Sequence, residues 1–120
     1  MQGYKEVLKN KMDEFVREVF VETRNFPREE IYITTSQLKR AVLSIILNYV
    51  EGYARFRPKN QLNFLETSYG SLKEVNYLLY FSWKQSFLSE DKYKKLIKQL
   101  DEIGAMLWTE IKSLTKSLGD

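Results

Sequence analysis

The sequence predicts an all-α protein: an antiparallel up-and-down four-helix bundle forming one domain over residues 1–120. Three observations carry this expectation. Apolar residues recur at three- and four-residue steps through four separate stretches, the spacing that puts them on one face of a helix. No stretch alternates apolar and polar residues as a half-buried strand does. The breaks between the stretches are short, so successive helices are expected to lie side by side. A chain of 120 residues can bury a core of useful size without disulfides or a metal.

The first helix is expected from Tyr4 to about Arg24, with Val7, Leu8, Met12, Phe15, Val16, Val19 and Phe20 on its apolar face. Asn25-Phe26-Pro27 ends it, because the residue before a proline is pushed out of the helical region. Pro27 followed by Arg28-Glu29-Glu30 reads as one short turn. The second helix is expected over residues 34–57, started by a capping box of Thr34 and Gln37, with Thr35 nearly as good a cap. Pro58 separates it from a third helix reaching about Phe87, rich in aromatic residues such as Tyr69, Tyr77, Tyr80, Phe81 and Trp83. Gly70 lies inside that helix, where glycine costs about 1 kcal/mol relative to alanine; close approach of another helix would compensate. Ser89 caps the fourth helix, Glu90 and Asp91 suit its positive end, and Gly119 closes it.

The second helix organises the rest. Its segment TTSQLKRAVLSIILNYVEGYAR is apolar around most of its girth. A single polar line, Gln37, Arg40, Ser44, Asn48, Glu51 and Arg55, falls within roughly 80° of arc. Two readings of that line stand side by side: a buried hydrogen-bonded network that sets helix register, or a surface facing a subunit interface or a channel. Gly52 lies beside the line and leaves room for close helix approach. The apolar surplus is likewise open to two readings, a subunit contact or the most buried helix of a monomer.

Composition excludes several kinds of chemistry. There is no histidine and no cysteine, so the usual metal ligands, the neutral-pH proton shuttle and the thiol nucleophile are missing. Glu51, Glu66 and Glu74 do not have the spacing of a carboxylate site, and no catalytic residue, cofactor or metal is expected. The first residues, MQGYKEVLKNKMDEF, alternate charge with apolar side chains, unlike a secretory leader. No apolar run approaches the ~18 residues of a membrane span. The expectation is a cytoplasmic protein without membrane contact.

The net charge of +3 is unevenly placed. Residues 31–65 hold five bases, Lys39, Arg40, Arg55, Arg57 and Lys59, against one acid, Glu51. Of the 19 bases and 16 acids in the chain, 14 and 15 lie elsewhere. Clustered Lys and Arg neutralise phosphates, and Tyr53 and Phe56 beside the corner at 55–59 offer stacking surfaces. The same five residues also read as a solvated rim.

Several motifs carry a resemblance. FPREExYxxTSQLKRA (26–41) and SIILNYVEGYAR (44–55), with its pattern Ser-Ile-x-x-Asn-x-x-Glu-Gly-aromatic-x-Arg, resemble the second-helix signature of the 23S rRNA intervening-sequence proteins. Gly70-Ser71-Leu72-x-Glu74 and Glu102-Ile103-Gly104-x-Met106-Leu107 resemble that family's third- and fourth-helix patterns. The likeness covers roughly residues 12–115; Ile46-Leu47 and Ala54 depart from the Pro-Ser and Gly that many members carry there. The resemblance implies a bacterial, non-enzymatic four-helix bundle. It also implies self-association, into pentamers among relatives that serve as accessory proteins of diversity-generating retroelements. Those relatives have RNA or DNA and a reverse transcriptase as partners. Lys39, Arg40, Arg55, Arg57 and Lys59 are then the candidate nucleic-acid contacts. Gln37, Ser44, Asn48, Glu51, Gly52, Tyr53, Gly70 and Glu74 are the candidate structural or interface positions.

Overall fold

Four helices form where the apolar periodicity places them, in a computed structural model that describes residues 3–119. α1 runs Tyr4–Thr23, α2 Ser36–Tyr53, α3 Pro58–Lys84 and α4 Glu90–Ser117, and the described residues include no strand. The chain is an all-α four-helix bundle.

The second helix is shorter than expected at both ends. Thr34 does not cap it. The chain enters α2 through a 3₁₀ turn at Arg28–Glu30 and a π-helical turn at Ile31–Thr35, where the Thr34 hydroxyl donates to Glu30 Oε1 at 2.6 Å. The Ser36 N–H already bonds the Ile33 carbonyl, so a cap at the start of α2 has less to satisfy. At the other end Pro58 forces Arg57 into extended backbone (φ −94°, ψ 127°) and itself takes the first position of α3. Residues 54–57 therefore form a corner rather than a last helical turn.

α3 stops at Lys84, three residues before Phe87. Ser86 adopts the left-handed region (φ 64°), its N–H bonds Trp83 O at 2.9 Å, and the Phe87 N–H reaches Ser82 O at 2.8 Å. This double closure satisfies the carbonyls a helix end leaves free. Ser89 caps α4 as expected, accepting the Lys92 N–H at 3.2 Å, and Gly119 ends it with φ 88°.

Each helix packs on its neighbours in sequence, and α1 also packs on α4. Paired positions run in opposite directions: along α1 and α4, Lys11 meets Glu102, Glu18 meets Lys95 and Glu22 meets Lys92. Along α2 and α3 the Ser44 and Ser71 hydroxyls lie 2.7 Å apart, while the buried Ser68 hydroxyl donates to Ile45 O at 2.6 Å. The core is one continuous apolar cluster drawn from every helix, including Leu8 and Phe15, Val42 and Ile45, Leu65 and Leu79, Leu100 and Leu107. Burying each such side chain contributes about 1.5–3 kcal/mol.

The two glycines singled out from the sequence differ. A Cβ on Gly52 would meet Phe64 Cβ at 3.1 Å and the Gln61 carbonyl at 3.3 Å, so this glycine permits the close contact of α2 with α3. Gly70 is exposed, and a Cβ there would meet nothing within 4 Å. The close approach expected at Gly70 is absent.

Candidate functional site

The bases gathered in the sequence window separate into two groups in space. α2 is about 27 Å long, with Lys39 and Arg40 near its start and Arg55, Arg57 and Lys59 in the corner beyond its end. In the corner, Arg55 pairs with Glu51 and lies over the Phe64 ring at 4.8 Å. The corner is braced by Gln61 Nε2, which donates to Arg55 O at 2.8 Å. Arg57 and Lys59 are exposed and form no ion pair among the described residues. Phe56, next to Arg57, is 99% exposed.

At the start of α2 the connection from α1 folds back, and Arg24 and Arg28 join Lys39 and Arg40 around a cleft of about 670 Å³. No acidic residue lines it, and none of the four bases has an ion-pair partner among the described residues. Lys39 Nζ sits over the Phe20 ring at 4.8 Å instead. Tyr32 stands at the rim, 93% exposed. Arg24 and Arg28 escaped the sequence reading because they precede the basic window. The signal that would have found them is the Pro27 turn, which brings the end of α1 to the start of α2.

The polar line follows the side of α2 toward α3. Only its middle is half-buried: Asn48 Nδ2 donates to the Ser44 carbonyl (2.8 Å) and hydroxyl (2.9 Å), and Ser44 reaches Ser71. Gln37, Arg40, Glu51 and Arg55 are exposed, as is Glu74 on α3. The buried network drawn through Glu51 and Arg55 does not form, since that pair stands half in solvent.

A different network is buried. Glu110 of α4, 8% exposed, accepts the Tyr49 hydroxyl at 2.8 Å and the Tyr53 hydroxyl at 2.9 Å, one on each carboxylate oxygen. Tyr49 and Tyr53 meet edge to face at 5.2 Å, and Lys5 Nζ lies 4.7 Å above the Tyr53 ring. Burial, first, and then the bond to Glu110 and its charge push both phenols well above the usual tyrosine range. Both hydroxyls thus stay protonated and serve as donors. In the sequence, Tyr49 and Tyr53 are visible as a one-turn pair, but Glu110 sits 61 residues from Tyr49. Its only mark is a carboxylate interrupting the apolar stripe beside Leu107 and Ile111.

α2 also keeps an apolar outer face: Leu43 (37% exposed), Leu47 (61%) and Val50 (48%) follow one another at four- and three-residue steps. Among the described residues, no three acidic side chains gather as a metal site. No helix among them is long and apolar enough to cross a membrane.

Comparison with known proteins agrees with this architecture. The model of the family described as 23S rRNA-intervening sequence protein matches residues 5–109. A crystal structure of a protein of unknown function from the S23 ribosomal protein family of Bacteroides thetaiotaomicron VPI-5482 shares the fold, with a TM-score of 0.85 and 21% sequence identity. The likeness covers 92% of this chain and 99% of that one. No curated protein matches.

Proposed function

This chain belongs to the 23S rRNA-intervening sequence protein family, and from that premise we propose that it is a non-enzymatic, self-associating scaffold that holds RNA or DNA by its phosphates. The observation that carries this reading is the pair of cationic groups flanking α2. Arg24, Arg28, Lys39 and Arg40 stand at one end and Arg57 and Lys59 at the other, without ion-pair partners among the described residues. Bases left without counter-ions release condensed ions from a phosphate backbone, which gives affinity with little sequence preference. The most exposed rings, Tyr32 and Phe56, lie one in each group and offer stacking surfaces for unpaired bases.

Self-association rests on Leu43, Leu47 and Val50, whose row on α2 is the kind of surface a subunit contact covers. A heterologous contact repeated around an axis closes into a ring, five-membered in the retroelement relatives that the sequence resembles. The same row favours a second reading, an adaptor that docks a protein such as a reverse transcriptase and does not bind nucleic acid by itself. Gel retardation at ~50 mM salt, where phosphate contacts are strongest, separates the two. The scaffold retards single-stranded RNA, and Arg28→Glu with Arg57→Glu weakens retardation. An unretarded RNA leaves the adaptor. Light scattering then reads assembly, with Leu47→Glu expected to lower the mass; a 14.3 kDa monomer for the unaltered chain would defeat self-association.

A further inference from the structure

We infer that the cleft between the end of α1 and the start of α2 takes a nucleoside monophosphate unit, its phosphate held by Arg24, Arg28, Lys39 and Arg40 and its base laid against Tyr32. The inference deepens the nucleic-acid reading and rests on it in part, because that unit is found both as a free nucleotide and as the phosphorylated end of a strand.

Three features of the cleft point this way. Its volume, about 670 Å³, lies within the usual ~300–1,000 Å³ of small-molecule sites. That gives the recess room for one such unit, unlike the open corner at 54–57. Its charge is uniform: four bases and no acid line it. Three of the bases are arginines, whose planar forks match phosphate oxygens two at a time. The nearest acids in sequence, Glu22, Glu29 and Glu30, lie outside the lining; Glu22 pairs with Lys92 and Glu30 accepts the Thr34 hydroxyl. Four neighbouring bases with no acid among them make the recess a favourable place for an anion.

The third feature is Thr35, which lines the cleft and is 8% exposed, with its hydroxyl oxygen buried and without a hydrogen-bond partner. Buried polar atoms are nearly always paired, and an orphan calls for an explanation. Threonine in a helical setting divides between two χ1 rotamers about 120° apart, so a change of rotamer is what would give this hydroxyl a new partner. The rest of the lining is mainly aromatic and aliphatic, with Phe20, Phe26, Ile31 and Leu43 beside the small polar Thr23 and Ser36, and Tyr32 standing free at the rim. A phosphate beside a planar ring satisfies all three features together. Inorganic phosphate alone would leave the aromatic wall uncovered, and an apolar ligand would leave the bases unneutralised.

The test measures fluorescence anisotropy at ~50 mM salt with two single-stranded RNA decamers, alike except for a 5′-phosphate or a 5′-hydroxyl, each labelled at the 3′ end. Adenosine 5′-monophosphate is titrated separately by calorimetry. The 5′-phosphorylated strand should bind at least about tenfold more tightly, the worth of one charge-assisted hydrogen bond, and adenosine 5′-monophosphate should bind and compete. Arg28→Glu with Arg40→Glu should remove the preference, while Arg57→Glu should keep it. Equal binding of the two strands with no binding of the mononucleotide overturns the inference and leaves the general nucleic-acid reading standing. Binding of the mononucleotide without either strand supports the cleft as a nucleotide site and overturns the nucleic-acid reading. Failure of all three probes overturns both. The substituted side chains are exposed, and an unchanged circular dichroism melt confirms that the variants fold.

Discussion

At one end of α2, Tyr49 and Tyr53 give both hydroxyls to the buried carboxylate of Glu110. At the other, Arg24, Arg28, Lys39 and Arg40 surround a cleft without a counter-ion. One cluster is polar chemistry closed upon itself, with its donors and acceptors matched across 61 positions of sequence. The other is polar chemistry left open, held in place by the fold and unsatisfied within it. The difference separates what maintains the bundle from what it presents. Buried polar groups add to stability only when paired, whereas unpaired surface cations add nothing to stability and are available to a partner.

Substitutions at the two ends should therefore have opposite signatures. The largest stability effect is expected from Glu110→Leu, which strands the buried Tyr49 donor and removes the partner of Tyr53. The expected loss is about 1–3 kcal/mol, read by urea denaturation, with RNA binding by the remaining folded protein unchanged. A variant as stable as the unaltered chain would show that the network is incidental.

The next effect appears at high pH. Both phenols titrate higher in the folded chain than the usual tyrosine value near ~10. Their contribution is thus fully present below pH ~10. Above it, the unfolded chain has released those protons while the folded chain keeps them, so stability falls as pH rises. Both tyrosines add to that slope, the buried Tyr49 more than the partly exposed Tyr53. The double variant Tyr49→Phe with Tyr53→Phe should lose stability less steeply above pH ~10 than the unaltered chain; parallel slopes would contradict the assignment.

A smaller effect belongs to the open end. Thr35→Val replaces a buried, unpartnered hydroxyl with a methyl of the same shape, and removing such a group is neutral or stabilising by up to about 1 kcal/mol. A loss larger than that in thermal melts would mean the hydroxyl has a structural partner in solution. Charge reversals at Arg28 and Arg40 should leave the melt unchanged and act on binding alone.

These two ends were not equally legible in the sequence. The four helices follow from apolar spacing, and Pro58 and Ser89 mark boundaries because their chemistry is local. Thr34 misleads because a capping pattern shows only that a cap is available. Here the 3₁₀ and π-helical turns bring the chain into α2 already hydrogen-bonded, and Thr34 turns to Glu30. Gly70 misleads because its tolerance on an open face leaves the same mark as a close contact. The polar line on α2 was visible, but its depth was not, because burial depends on α3 rather than on α2. Glu110 reaches Tyr49 and Tyr53 only through the packing of α4. Likewise, a charge count over residues 31–65 could not include Arg24 and Arg28, which the turn after Pro27 carries back to Lys39 and Arg40.

The most direct measurement of the central proposal is the salt dependence of single-stranded RNA binding between ~50 and ~200 mM, a range over which phosphate contacts weaken strongly. If the open cations hold phosphates, the logarithm of the association constant falls linearly with the logarithm of salt concentration. The slope should be near −0.7 for each phosphate neutralised on a single strand, or about −3 for four contacts. Arg28→Glu with Arg40→Glu should make the slope shallower by about one unit or more. Absence of binding at the low-salt end, or a slope that the double reversal leaves unchanged, would contradict it.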